Sequence, residues 1–275
     1  FPTATTTVRG FTQTFTHINP GGRGPLLLVH GWPETRRIWW RMLQPLADAG
    51  YEVICPDLRG FGDSEVSPDG IHDVPVHSRD LHALCAELGH ESVVLVGGDL
   101  GGPVIQDLAL RFPGFGQKMI LFNSPLPFDA ERMNGMRTRP AAEAADYFIR
   151  QGTDPDGLAA ELATPDERRR YIATFYTSRF WAHPGAFTPD EVAFHTEPFA
   201  DGDKLRAVSA GLGKELTGNV MLRVDALKVG PSVGSAAGRY FAVRHAYLAE
   251  VVDSDRTRRV LEALAEVSQV RRTET

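Results

Sequence analysis

The chain has 275 residues, 42% hydrophobic and 23% charged, with a formal net charge of -6. That length holds one large core with an insertion, or two domains. The acidic balance, without a Lys/Arg block, argues against a nucleic-acid or anionic-membrane partner, and no apolar run approaches the roughly 18 residues of a membrane span.

Pro25-Leu26-Leu27-Leu28-Val29 is a short apolar run that stops at His30-Gly31, and Tyr51-Glu52-Val53-Ile54-Cys55 is another, stopped by Pro56-Asp57. Both read as buried strands. Leu81, Leu84, Cys85 and Leu88 recur at i, i+3, i+4 and i+7, one face of a helix that ends at Gly89. The run Ser92-Val93-Val94-Leu95-Val96 predicts a further strand and leads into Gly97-Gly98-Asp99-Leu100-Gly101-Gly102. Val104, Ile105, Leu108, Ala109 and Phe112 then mark a second amphipathic helix, halted by Pro113, and Lys118 to Phe122 reads as one more strand. Strand and helix alternating, with near-continuous apolar strands, means a mostly parallel sheet covered on both faces. In such sheets ligands bind beyond the carboxyl ends of the strands. His30-Gly31-Trp32-Pro33, Asp57-Leu58-Arg59-Gly60 and the glycine-rich turn all fall at those ends.

From Phe128 to about Leu216 strand signals stop. Thr164-Pro165-Asp166-Glu167 and Thr188-Pro189-Asp190-Glu191 each place Thr as N-cap, Pro at the first helical position and Glu three residues on. That is the pattern of a capping box, so both start helices. Arg168-Arg169-Arg170, flanked by acids, reads as a solvated helix face. Beyond this helical segment, Val220 to Val224 and Tyr240 to Val243 are weak strand candidates, and Val260, Leu264 and Val267 mark a last helix. Cys55 and Cys85 sit in segments read as buried, and no Cys/His spacing suggests zinc. The chain starts at Phe1 and shows no signal-peptide pattern, so the expected setting is a reducing cytoplasm, with both thiols free and no metal.

Gly97-Gly98-Asp99-Leu100-Gly101 fills the pattern in which a nucleophile sits in a strained strand-to-helix turn between small neighbours. At a helix start, free N–H groups and the helix dipole keep a carboxylate ionised. An ionised carboxylate can attack carbon and form a covalent ester. The plainer reading is that Asp99 only caps the helix that follows. Phosphate binding is disfavoured, because an acid at the tip would repel the anion.

His30-Gly31-Trp32-Pro33-Glu34, the segment from Tyr51 through Asp57-Leu58-Arg59-Gly60-Phe61-Gly62-Asp63-Ser64, and the Asp99 turn together resemble the epoxide hydrolases of the α/β-hydrolase superfamily. The likeness runs through about the first 125 residues. It implies the α/β-hydrolase fold, with a first core part at 1–127, a helical cap at 128–215 and a weakly matched C-terminal core part at 216–275 that reads as shortened or rearranged. It implies Asp99 as nucleophile, with the backbone N–H groups of Trp32 and Leu100 as the oxyanion hole. His30, Gly31 and Pro33 support that loop, and Arg59 and Asp63 organise the one beside it. Tyr147 stands where the first epoxide-protonating tyrosine is expected; the second, near Val208-Ser209-Ala210-Gly211-Leu212, is missing, and Tyr171 and Tyr176 lie earlier.

The resemblance also implies a water-activating histidine after the last strand, which falls on His245, the only histidine beyond the helical segment, with Asp225 as its acid partner; an ordinary surface or helix-start histidine is the competing reading. Asp225 lacks the glycine and second acid usual beside it in the family. Asp253 and Asp255 follow His245 and break the chain order, and Asn123 and Ser124 cannot supply a carboxylate. The expected activity is opening of an apolar epoxide to a vicinal diol, with no cofactor, no metal, and a small hydrophobic substrate as partner; Phe148, Phe175, Phe180, Trp181 and Phe187 suggest an aromatic-lined pocket. Homo-oligomerisation is compatible with the sequence. Two readings compete. A haloalkane dehalogenase uses the same ester chemistry but usually has tryptophan where Leu100 stands. A catalytically impaired member would keep the pocket to bind a small hydrophobic ligand.

Overall fold

In a computed structural model, residues 1–124, 147, 150–151, 154–178, 183 and 185–217 are described, 210–217 by backbone alone. They fall mainly in one compact unit, Phe1–Ser124 with Arg139–Gly213. A second unit, Pro125–Thr138 with Lys214–Thr275, lies outside the described residues except for the helical turn at 214–217.

Six strands form one sheet: β1 Thr3–Val8, β2 Phe11–Ile18, β3 Arg23–Val29, β4 Tyr51–Pro56, β5 Val93–Gly98 and β6 Gly116–Phe122. Their order is β1-β2-β4-β3-β5-β6. β4, β3, β5 and β6 are parallel, while β1 and β2 pair antiparallel with each other and β2 pairs antiparallel with β4. The expected strands at 25–29, 51–55, 92–96 and 118–122 are all present. The β1–β2 hairpin has no counterpart in the sequence reading. Its first strand, Thr-Ala-Thr-Thr-Thr-Val, lies largely exposed and offers no apolar run to detect.

The central strands are apolar because both of their faces are covered. Leu27, Leu28 and Val29 of β3, Val53 and Ile54 of β4, and Val93 and Leu95 of β5 are all buried. Burying each such side chain contributes roughly 1.5–3 kcal/mol. Three helices accompany this part of the sheet: α1 Trp40–Asp48, α2 Val74–Glu87 and α3 Gly101–Arg111. α2 starts about two turns before the first periodic leucine, with Asp73 accepting from the Val76 N–H and Pro75 in the first turn. The core cluster joins Leu81 and Leu84 of α2 to Val104, Ile105 and Leu108 of α3 and to strand residues Leu27, Ile54 and Leu95. Cys55 and Cys85 are buried and unbridged. Burial pushes the Cys85 thiol up to about 12, so it acts as a small apolar side chain.

Beyond the sheet come α4 Pro155–Glu161, α5 Pro165–Thr177, α6 Pro189–Thr196 and α7 Gly202–Thr217. α5 and α6 both begin with the reciprocal capping bonds expected at Thr164–Glu167 and Thr188–Glu191. Among the described residues no helix is long and apolar enough to cross a membrane.

Candidate active site

β5 ends at Gly98 and α3 begins at Gly101, so Asp99 and Leu100 form the whole turn. Asp99 has φ 50°, in the left-handed region. A residue with a Cβ pays roughly 1–3 kcal/mol to sit there. The backbone contacts that hold it are specific: Asp99 N–H donates to Asn123 O at 3.1 Å, and Ser124 Oγ donates to Asp99 O at 3.1 Å. So the end of β6 clamps the turn that follows β5. The glycines permit close approach. A Cβ on Gly101 would run into the carbonyl oxygens of Val29 and His30, and one on Gly31 would lie 2.6 Å from Asp99 Cβ.

One carboxylate oxygen, Asp99 Oδ1, accepts from Trp32 N–H at 2.9 Å and from Leu100 N–H at 2.7 Å. A capping side chain would instead accept from an N–H one or two residues inside the helix. The N-cap of α3 is Leu100, which makes no side-chain capping bond. The turn therefore aims Asp99 at the 30–34 loop.

That loop is braced from two directions. Leu58 N–H donates to His30 Nε2 at 3.0 Å, which makes Nε2 an acceptor. Nδ1 then carries the proton and donates to Gly31 O at 2.8 Å. Burial lowers the His30 pKa, so the ring stays neutral and acts as a strut between two loops. Gly31 N–H donates to Glu34 Oε2 at 2.7 Å, and Glu34 N–H returns a bond to Gly31 O at 3.2 Å. These bonds orient the loop so that the Trp32 N–H points at Asp99. The Trp32–Pro33 peptide is cis.

Glu34 closes the His30-Gly31-Trp32-Pro33-Glu34 segment and faces the Asp99 turn. Burial, reinforced by the Asp99 carboxylate, pushes its pKa up to about 7 despite the Gly31 N–H. Repulsion between the two carboxylates adds to burial, so Glu34 keeps its proton up to near neutral pH. The only signal available beforehand was its position at the end of His30-Gly31-Trp32-Pro33-Glu34.

Helical residues close over this loop. Tyr147 stacks on Trp32 with ring centroids 5.3 Å apart and 19° between planes. Phe175 meets Trp32 edge-on at 4.9 Å and Tyr147 at 5.1 Å. Tyr147 thus adjoins the residue whose N–H reaches Asp99. Tyr176 donates its hydroxyl to Pro33 O at 2.8 Å, so it fastens α5 to the loop. The Tyr171 hydroxyl accepts from Gln151 Nε2 at 2.8 Å. Neither hydroxyl points to the job of the missing second tyrosine. The Trp32 indole Nε1 is buried and meets no acceptor among the described residues.

The neighbouring 57–64 loop is an ionic brace. Arg59 is buried and grips Asp80 with two bonds, at 2.5 and 2.8 Å, and Asp69 with another at 2.9 Å. Asp57 accepts from Arg36 N–H at 2.7 Å and from Asp63 N–H at 2.9 Å, and it pairs with the Arg36 guanidinium. Asp63 takes the other end of that guanidinium at 2.7 Å. Arg59 and Asp63 organise the loop. His245 and Asp225, with Phe148, Phe180 and Trp181, lie outside the described residues.

Comparison with known proteins adds a family to this geometry. Residues 24–180 match the family model described as alpha/beta hydrolase fold. An AB hydrolase superfamily protein of Bacillus subtilis is 38% identical over 197 residues, 70% of this chain and 66% of that protein. The soluble epoxide hydrolase of a Corynebacterium species is 39% identical over 178 residues, 64% of this chain and 60% of that enzyme. The chain thus spans just under two thirds of the length of these relatives. A solved epoxide hydrolase structure, CorEH without ligand, superposes with a TM-score of 0.65 at 22% identity over 81% of this chain and 77% of that one, a likeness of fold. The chain belongs to the alpha/beta hydrolase fold family, and epoxide hydrolases are among its curated relatives.

Proposed function

We propose that the protein hydrolyses small apolar epoxides to vicinal diols through a covalent ester on Asp99. The observation that carries this reading is the pair of backbone N–H groups converging on a single oxygen, Asp99 Oδ1. They mark Oδ1 as the oxygen that remains a carbonyl, and Oδ2 as the one that attacks. Oδ2 bonds to a ring carbon, the carbon–oxygen bond of the ring breaks, and the leaving oxygen takes the Tyr147 hydroxyl proton. Water deprotonated by His245, with Asp225 behind it, then adds to the ester carbon. The negative charge that develops on Oδ1 falls between the Trp32 and Leu100 N–H groups, worth about 3–4 kcal/mol per donor in comparable sites. Collapse of this intermediate breaks the bond to the alkyl oxygen, which takes the remaining proton of the attacking water and leaves as the diol. The proton held on His245 returns to the Tyr147 phenolate through solvent, so Asp99, Tyr147 and His245 regain their starting states. In this reading residues 128–215 form the cap. The aromatic wall of Trp32, Tyr147 and Phe175 supports an apolar substrate, and the chemistry needs neither metal nor cofactor.

One observation favours haloalkane dehalogenation as the second reading: the buried Trp32 Nε1–H, a donor suited to a departing halide. The two are separated by the intact mass of a His245→Gln variant incubated with a panel of epoxides and haloalkanes. The first reading predicts an adduct from epoxides that maps to Asp99, with wild type leaving none and producing diol. An alkyl adduct formed from haloalkanes alone would transfer the assignment to dehalogenation. No adduct and no turnover across the panel would leave a protein that only binds hydrophobic ligands.

A further inference from the structure

At the opposite end of the sheet from Asp99, three side chains from separate segments converge. His17 Nε2 on β2 lies 2.6 Å from Glu52 Oε1 on β4, and His90 Nε2, between α2 and β5, lies 3.0 Å from the same oxygen. One ligand atom from each of the three lies within 4.8 Å of the other two. We propose that His17, Glu52 and His90 form a binding site for a divalent cation of the zinc class. Two imidazoles and one carboxylate are the donor set that such ions prefer, and hard cations such as Mg²⁺ and Ca²⁺ do not.

The surroundings fit that role. Ligating carboxylates are usually oriented by a further hydrogen bond. Here Gly21 N–H donates to Glu52 Oε2 at 3.1 Å, which holds the second oxygen aside and turns Oε1 toward the two rings. The turn that supplies this N–H is itself tied down by Asn19 Nδ2 donating to Tyr51 O at 3.0 Å. His17 and His90 side chains keep 19% and 17% of their surface exposed while Glu52 keeps 5%, so water can reach the site and complete a fourth position. Tetrahedral zinc with bonds of about 2.0–2.1 Å spaces its ligand atoms roughly 3.3 Å apart. The observed separations, 2.6 Å, 3.0 Å and at most 4.8 Å, bracket that spacing and reach it with changes of about 1.5 Å or less.

The position argues for a staple. By strand register, Glu52 lies roughly 20 Å along the sheet from Asp99. A bound ion there would join the antiparallel β2, the parallel core strand β4 and the entry to β5, three segments that are 35 and 38 residues apart in sequence. It would stabilise the folded state without touching the hydrolytic site. A cluster that is only a hydrogen-bonded clamp would make the same contacts without taking up metal.

The test is a Zn²⁺ titration of the chelator-treated full chain by calorimetry, repeated with Co²⁺ for its visible spectrum. The expected result is one ion per chain and a thermal midpoint raised by several degrees at about 100-fold excess over Kd. Co²⁺ bands should have the intensity of a low-coordinate nitrogen–oxygen site. His17→Gln and His90→Gln should each weaken binding at least about 10-fold. Because a variant can fail through folding, the wild type carries its own control: Zn²⁺ must shift the imidazole ring resonances of His17 and His90. No stoichiometric uptake by wild type, uptake undiminished in the double variant, or unmoved His17 and His90 resonances would each overturn the site.

Discussion

Two aspartates follow neighbouring parts of the same sheet and are held in opposite ways. Asp57, after β4, is fully buried and gripped by the Arg36 guanidinium and by two backbone N–H groups. Asp99, after β5, sits on a left-handed backbone, receives two N–H groups on one oxygen, and has the protonatable Glu34 and an aromatic wall nearby. The first arrangement neutralises a charge and locks a loop. The second holds a half-buried carboxylate by one oxygen beside an aromatic wall and spends backbone strain to do it. Residue type alone does not separate them; the partners do.

The sharpest way to break the comparison is to truncate each acid. Asp99→Ala is expected to lower kcat for epoxide hydrolysis at least about 10⁴-fold, as removal of a nucleophile does, while cooperative thermal unfolding persists. Activity within tenfold of wild type would remove Asp99 from the chemistry. Asp57→Ala should act on stability instead. Removing Asp57 takes away the buried partner of Arg36 and leaves its guanidinium with Asp63 alone as a carboxylate partner, at a cost of up to about 3–5 kcal/mol, read as a lower urea midpoint at unchanged slope.

Glu34 refines the contrast through pH. Its folded-state pKa of about 7 stands above the ordinary value of 4.5, so the folded protein holds an extra proton between those limits. Stability from this group is therefore full below pH 4.5 and is lost as pH rises through 7, by at most about 3 kcal/mol. Glu34→Gln should flatten the urea midpoint across that window. An unchanged slope would mean that the carboxyl is solvated and ionised throughout.

The smallest effects belong to the helical segment. Thr164→Ala and Thr188→Ala should each cost about 1 kcal/mol of stability and leave kcat unchanged, because their bonds only close helix starts. A large loss of activity from either would show that these helix starts shape the site.

Legibility in the sequence followed the range of the interactions. The turn at Asp99 was readable because its glycines are contiguous with the strand they end. The two capping boxes were readable because all their bonds lie within four residues. β1 and β2 were not, since their threonine-rich strands are defined by pairing with each other and with β4 and not by an apolar run. Helix α1 was missed as well; its buried side is confined to Leu43, and Pro45 interrupts the pattern. Glu34 could be quoted but not assigned, because its raised pKa depends on a carboxylate 65 positions away being folded against it. Convergence of His17, Glu52 and His90 is likewise a product of topology, invisible to any spacing rule for zinc.

The most direct test of the central claim is a single turnover in ¹⁸O-labelled water, with enzyme in excess over an apolar epoxide, followed by mass analysis of the peptide that carries Asp99. Ester hydrolysis at the carboxyl carbon predicts that the label enters the Asp99 side chain and that the first diol released is unlabelled. Label found in the diol alone, with the Asp99 peptide at its natural mass, would mean that water opens the ring directly and would contradict a covalent ester on Asp99.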